Sequence, residues 1–237
     1  MISDALNYLR NSDDALVTVL IGGLLSVFGF LLVPVLFVNG YFVRVLRRTA
    51  AGDETAPVFD DWGRMGIEGL KATVIALVYG LVPLVVGAVL IGGSVVAIAT
   101  GGSVDGGSAA LGAGIVGLLV SLAITFVLGL AAWYVIPAAT ANFAERGTFA
   151  AGFDFGTLRP VLFSGAYATG WLLALGVIVL GGIVAGAFNA VIPILGAVPG
   201  LFVSFYATVA AYYLIGRTWR NLRPVETREV TDEQPAV

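Results

Sequence analysis

Four stretches of this sequence carry no Asp, Glu, Lys or Arg: Ala15–Val43, Ala72–Val104, Gly106–Ala144 and Pro160–Gly216, of 29, 33, 39 and 57 residues. Together they occupy two-thirds of the 237 positions. A helix that crosses the hydrocarbon of a bilayer needs about 20 apolar residues. Backbone groups in hydrocarbon must bond within their own segment, so spanning structures are helices or closed barrels. The runs are continuously apolar rather than alternating, which argues against a barrel. The expected fold is therefore all-α, a polytopic transmembrane helical bundle.

The first three runs each fit one span with some tilt. The fourth is too long for one, and breaks naturally between Asn189 and Gly200, where Pro193 and Pro199 favour a turn. About five spans are expected, near 15–43, 70–99, 111–141, 160–188 and 196–217. They form a transmembrane domain over 15–217, preceded by an acidic N-terminus (1–14) and followed by a tail (218–237). That tail reads as disordered, most clearly in its acid-rich end, Val225–Val237. Span one contains Gly22, Gly23, Gly29 and Pro34, so it is either one bent helix or a hairpin. Met1–Asp14, with three acids and one Arg, does not resemble a cleavable signal.

Composition narrows the chemistry. Apolar residues are 59% and charged residues 11%, against about 45–50% and about 25% in soluble domains. There is no Cys and no His. That removes disulfides, zinc–thiolate sites, thiol catalysis and an imidazole base. No cofactor, metal or nucleic-acid partner is expected. The net charge is −3, eleven of the twelve basic residues are Arg, and Gly accounts for 32 residues. This acidic, Lys-poor, Gly-rich balance suggests a salt-adapted, halophilic source.

Charge placement sets an orientation. The 44–71 segment carries Arg44, Arg47, Arg48, Arg64 and Lys71; the 145–159 segment carries Arg146 and Arg159; the C-terminal segment carries Arg217, Arg220, Arg223 and Arg228. The connections at 100–110 and 189–195 hold no basic residue. Basic residues in every second connection match the positive-inside rule. The expectation is a plasma-membrane protein with its N-terminus outside and its C-terminus in the cytoplasm.

A parallel internal repeat is suggested. Pro34–Gly40, an Arg-bearing loop and Phe59-Asp60-Asp61-Trp62 precede span two. Pro137–Asn142, Glu145-Arg146 and Phe153-Asp154-Phe155-Gly156 precede span four. Both units run the same way across the membrane. Phe59, Trp62 and Met65 at i, i+3, i+6 suggest a short interfacial helix starting near Pro57, with Glu68 pointing elsewhere; Phe149 and Phe153 suggest a second. Two readings are open. The segments are anchors that set the depth of the next span, or Phe59, Asp60, Asp61, Trp62, Arg64, Phe153, Asp154 and Arg159 form a site for a headgroup, an ion or a protein partner. Arg44, Arg47 and Arg48 either fix topology alone or contact anionic lipid.

Gly112-Ala-Gly114-Ile-Val-Gly117 fits the dinucleotide fingerprint, but it lies inside a span with no preceding strand, so it is rejected. Small residues recur at i+4 from Ala113 to Gly129 and from Gly196 to Thr208, which allows close helix packing. No span carries a central charge, whereas ion-coupled transporters and intramembrane enzymes depend on such groups. The leading expectation is a non-enzymatic, membrane-organising or partner-binding protein whose catalytic residues are none. The alternative is a transporter or facilitator subunit.

The run Gly40-Tyr41-Phe-Val-Arg44-Val-Leu-Arg47-Arg48, Gly52-Asp53-Glu54, Pro57-Val-Phe59-Asp60-Asp61-Trp62-Gly63 and Gly69-Leu70-Lys71-Ala72 resembles the archaeal membrane family called domain of unknown function 4013. Ser12-Asp13-Asp14-Ala15 with Ile21-Gly22-Gly23-Leu24, and Arg159-Pro160-Val-Leu-Phe163 with Tyr167, fit it too. The resemblance covers about residues 10–222. It implies a multi-pass protein of archaeal plasma membranes and carries no activity, ligand or site residue with it.

Overall fold

The computed structural model describes residues 2–12, 14–101, 107–193 and 195–223. Every regular element among them is helical: α1 (Ile2–Tyr8), α2 (Ala15–Val27), α3 (Leu32–Ala51), α4 (Trp62–Gly101), α5 (Gly107–Arg146), a 3-10 turn (Phe149–Phe153), α6 (Phe155–Leu162), α7 (Gly165–Val191) and α8 (Ala197–Leu222). Four of these, α4, α5, α7 and α8, are long and apolar enough to cross a membrane. The connection around Asp105, residue Asp13 and the tail from Pro224 fall outside the described residues.

The chain divides into two units, one made of residues 1–74 and 137–237 and the other of 75–136. In the second unit α4 and α5 form a hairpin. The small-residue stripe of α5 faces α4 there: Ser121 Oγ lies 3.1 Å from Ser94 Oγ, and a Cβ on Gly87 would come within 2.7 Å of Thr125. Leu77, Leu84, Val89, Leu119, Phe126 and Val127 stay exposed. Such an apolar exterior suits acyl chains rather than water.

In the first unit α8 is the axis, and it is the most enclosed of the four long helices. α1 and α2 run antiparallel to it. Asp4 pairs with Arg217 at 2.6 Å, Tyr8 packs against Tyr213 with centroids 4.6 Å apart and the rings tilted at 40°, and Gly22 and Gly23 leave room for the rings of Phe205 and Phe202. α3 then returns parallel to α8. Phe42 stacks on Tyr212 at 4.8 Å, and a Cβ on Gly216 would meet Thr49 at 2.9 Å.

The run 15–43, expected as either one bent helix or a hairpin, is divided between two helices. α2 breaks after Val27 and α3 begins at Leu32. At 1.5 Å per residue the 13 residues of α2 reach about 20 Å, short of a bilayer core of about 30 Å. Gly29 sits in the break, and Pro34 falls in the first turn of α3, where its missing N–H costs no helix bond.

Other boundaries shift too. Pro160 lies inside α6 rather than opening a span, and α7 begins at Gly165, with the Ser164 hydroxyl accepting the Tyr167 N–H. α8 runs on to Leu222, past the expected end at 217, so residues 218–222 of the tail expected to be disordered are helical. The expected turn between Asn189 and Gly200 lies between Val191 and Ala197. Gly196 is required in it, because a Cβ there would overlap the carbonyl of Phe188.

Candidate functional site

The site begins with a backbone crossing. Gly40 of α3 and Gly69 of α4 meet so closely that a Cβ on Gly69 would overlap the Leu36 carbonyl and come 2.7 Å from the Gly40 nitrogen. Asn39 Nδ2 donates to Thr73 Oγ1 beside the crossing at 2.8 Å. This contact brings the basic half of α3 against the charged first turns of α4.

Glu68 is the hub of the charge network formed there. Its side chain is 9% exposed and receives three guanidinium groups: Arg47 at 2.9 Å, Arg64 at 3.1 Å and Arg44 at 3.7 Å. Arg44 also pairs with the Asp60 carboxylate and donates to the Asp60 and Asp61 carbonyls at 2.9 and 3.2 Å. Arg47 donates through Nε to the Ala144 carbonyl at 2.9 Å, tying α3 to the end of α5. One buried carboxylate thus organises three arginines from two helices. A buried ion of this kind is tolerable only when paired, and removing it strands its partners.

Both aromatic–Asp segments are helix caps. The Asp61 carboxylate accepts the Arg64 N–H at 3.3 Å, and the Asp154 carboxylate accepts the Thr157 N–H at 3.3 Å. In each case the Asp immediately precedes its helix and bonds the amide three residues on, as an N-cap does. The helix before each segment ends on a left-handed glycine, Gly52 at φ 93° and Gly147 at φ 71°, a conformation glycine adopts without steric cost. The repeat thus has a local counterpart in helix, left-handed Gly, loop and Asp cap. It departs afterwards, since α4 continues unbroken while α6 stops after eight residues.

Asp154 also pairs with Arg146 at 3.1 Å. The Thr157 hydroxyl and N–H, helped by Arg146, hold its carboxyl below the ordinary value of 3.8. Asp53 is lowered in the same way by the hydroxyl and N–H of Thr55.

The rings occupy other roles than expected. Residues 57–61 are not helical, so no interfacial helix starts at Pro57. Phe59 stacks flat on Tyr41 at 4.5 Å, and Trp62 packs on Phe59 at 5.7 Å and edge-on to Phe37 at 5.1 Å. Met65 is fully buried. Phe149 and Phe153 do lie in a short helical turn, edge to face at 5.3 Å. Of the expected residues, Asp60, Asp61 and Arg64 come together with Arg44. Asp154 joins Arg146 instead. Arg159 is exposed beside Pro160 and Phe163, with no carboxylate within 4 Å among the described residues.

Glu68 and Glu145 were not among the expected site residues. The Glu145 carboxylate accepts from the Trp219 indole and from Arg223, each at 3.0 Å, while Arg223 lies over the Trp219 ring. The one local signal for Glu68 was its i, i+4 spacing from Arg64.

Two clefts open onto this network. One, of about 500 Å³, is lined by Arg47, Arg64, Glu68, Lys71, Glu145 and Arg146 among others. A smaller one of about 240 Å³ is lined by Arg44, Arg47, Arg48, Asp60, Asp61 and Arg64. Arg48 pairs with Asp53 at 3.6 Å. The basic trio of α3 is thus engaged by acids of its own chain. Among the described residues no group of three or more His, Cys, Asp or Glu is placed to hold a metal.

No curated protein and no solved structure matches the chain. A family model described as a protein of unknown function, DUF4013, matches residues 21–190, which takes in α3, the crossing, the Glu68 network and both Asp caps. That match spans well over half of the sequence, and the chain belongs to this family.

Proposed function

We propose that the chain is a multi-pass, non-enzymatic protein of the plasma membrane that organises anionic lipid at its cytoplasmic face. The observation that carries this reading is the Glu68 network, in which three arginines are fixed around one buried carboxylate beside an open basic cleft. Fixed cations at the end of apolar helices suit headgroup phosphates.

The orientation follows from charge and packing together. Arg-bearing connections favour the cytoplasm, and α4, α5, α7 and α8 as four crossings keep the C-terminus there. The Asp4–Arg217 pair favours the N-terminus on that same side rather than outside. The turn at 28–31 reads Phe-Gly-Phe-Leu, without a polar side chain. Three of its amides bond within it or to α2: Phe28 to Leu24, Gly29 to Ser26 and Leu31 to Phe28. A turn satisfied in this way tolerates hydrocarbon. On this reading α2 and α3 enter and leave by the cytoplasmic face.

Purification in mild detergent, with the retained lipid measured by mass spectrometry, tests the function. Anionic phospholipid enriched over its share of the parent membrane, and lost from an Arg47→Gln, Arg64→Gln variant, is expected. Retained lipid of bulk composition would refute the reading.

A further inference from the structure

We propose that the cleft between the last turn of α5 and the first turns of α4 is a phosphate-binding site whose working cations are Lys71, Arg64 and Arg47. This site rests on the lipid-organising reading and gives the place and chemistry of the contact.

Charge within the cleft is unbalanced. Six charged side chains line it: Arg47, Arg64, Lys71 and Arg146, against Glu68 and Glu145. Two are satisfied outward, since Arg146 pairs with Asp154 and the Glu145 carboxylate is held by Trp219 and Arg223. Glu68 remains as the one acid shared by Arg47 and Arg64, and Lys71 has no carboxylate within 4 Å among the described residues. Three cations therefore face one carboxylate, an excess of two positive charges. Glu68 repels an incoming anion, yet it also holds Arg47 and Arg64 in position before the ligand arrives. The cleft volume of about 500 Å³ lies within the range of small-molecule sites.

The location favours a lipid as the source of the phosphate. Lys71 is the last charge before the uncharged run that begins at Ala72, so it stands at headgroup depth. Ile67, in the wall of the cleft, is 57% exposed, and Leu70 one turn along is 50% exposed. Together they offer an apolar path down which an acyl chain can run from a phosphate held at Lys71. A tetrahedral oxyanion takes donors from several directions, which suits two guanidinium forks and one ammonium.

Lys71 is the only lysine, so its reactivity can be followed without a background of other lysines. The full chain is placed in nanodiscs and treated with an amine-acylating reagent, with the N-terminal amine as internal reference. Three arms are compared: zwitterionic lipid alone, zwitterionic lipid with phosphatidylglycerol, and zwitterionic lipid with millimolar inorganic phosphate. Lys71 should be slowed on the order of fivefold in the anionic-lipid arm, the worth of about one cation at an anionic surface. Equal slowing by inorganic phosphate would uphold the site and assign it to free phosphate. The same arms are run on Arg64→Gln, whose side chain is 65% exposed, so that its loss should cost little stability. Protection should fall away in that variant. Protection that persists unchanged would reflect bulk surface potential and overturn the site, as would equal Lys71 reactivity in all arms. Enriched anionic lipid on the purified protein without Lys71 protection would remove this site and leave the lipid-organising reading standing.

Discussion

Adding one methyl group at the α3–α4 crossing should do more damage than its size suggests. In Gly69→Ala the new Cβ overlaps the Leu36 carbonyl and lies 2.7 Å from the Gly40 nitrogen, while ordinary contact begins near 3.4 Å. The obstacles are backbone atoms of α3, so no rotamer relieves them, and the helices must part by more than about 0.7 Å. Overpacking of this kind costs about 1–3 kcal/mol. Gly80, in the same helix, has nothing within 4 Å of its would-be Cβ. Gly80→Ala should therefore gain the about 0.5–1 kcal/mol of a helix-interior glycine replaced by alanine. The two variants should differ by about 1.5–4 kcal/mol, or about 3–16 °C in unfolding midpoint for a chain of this length. Far-UV circular dichroism of the detergent-solubilised protein on heating reads this directly. Equal midpoints for Gly69→Ala and Gly80→Ala would show that α3 and α4 do not cross where the Glu68 network requires.

The network itself makes a paired prediction. Glu68→Gln leaves three arginines around a neutral amide and should cost about 3–5 kcal/mol, whereas Arg64→Gln removes a largely exposed partner and should cost less than about 1 kcal/mol; thermal unfolding of the two side by side decides. Asp154 gives a pH dependence. Its carboxyl is held below the ordinary 3.8, so its contribution is complete above that value and is lost as pH falls through the lowered one. Asp154→Asn should therefore be less stable than the parent chain at pH 7, with the gap closing below pH 3.8; a gap independent of pH would mean the caps do not act through charge.

Much of the helical framework was legible because it depends on local hydropathy. The apolar stretches read as spans two and three lie within α4 and α5, those read as spans four and five fall largely on α7 and α8, and the turn near Pro193 was marked by proline and glycine. What escaped depended on partners distant in sequence. Nothing within 15–43 says that Gly22 and Gly23 make room for Phe205 and Phe202 nearly two hundred residues on, and that contact folds α2 back along α8. Likewise Glu68 looks, in sequence, like one more polar residue on α4. It becomes the centre only because the Gly40–Gly69 crossing delivers Arg44 and Arg47 to it. The Asp caps were available locally. Asp61 and Asp154 each stand three residues before the amide they bond, a helix-start signal overshadowed by the aromatic stripe beside it.

For the Glu68 network to serve as a cytoplasmic lipid site, α1–α3 must enter and leave by the face that carries it. The chain has no cysteine, so single cysteines report sidedness cleanly. Ser3→Cys, with Thr148→Cys as the reference in the Arg-bearing loop and Ser103→Cys in the connection that lacks basic residues, is probed in intact cells with a membrane-impermeant maleimide. Ser103→Cys should be labelled from outside, while Ser3→Cys and Thr148→Cys should be labelled only after the cells are opened. Labelling of Ser3→Cys in intact cells would place the N-terminus outside and contradict this topology.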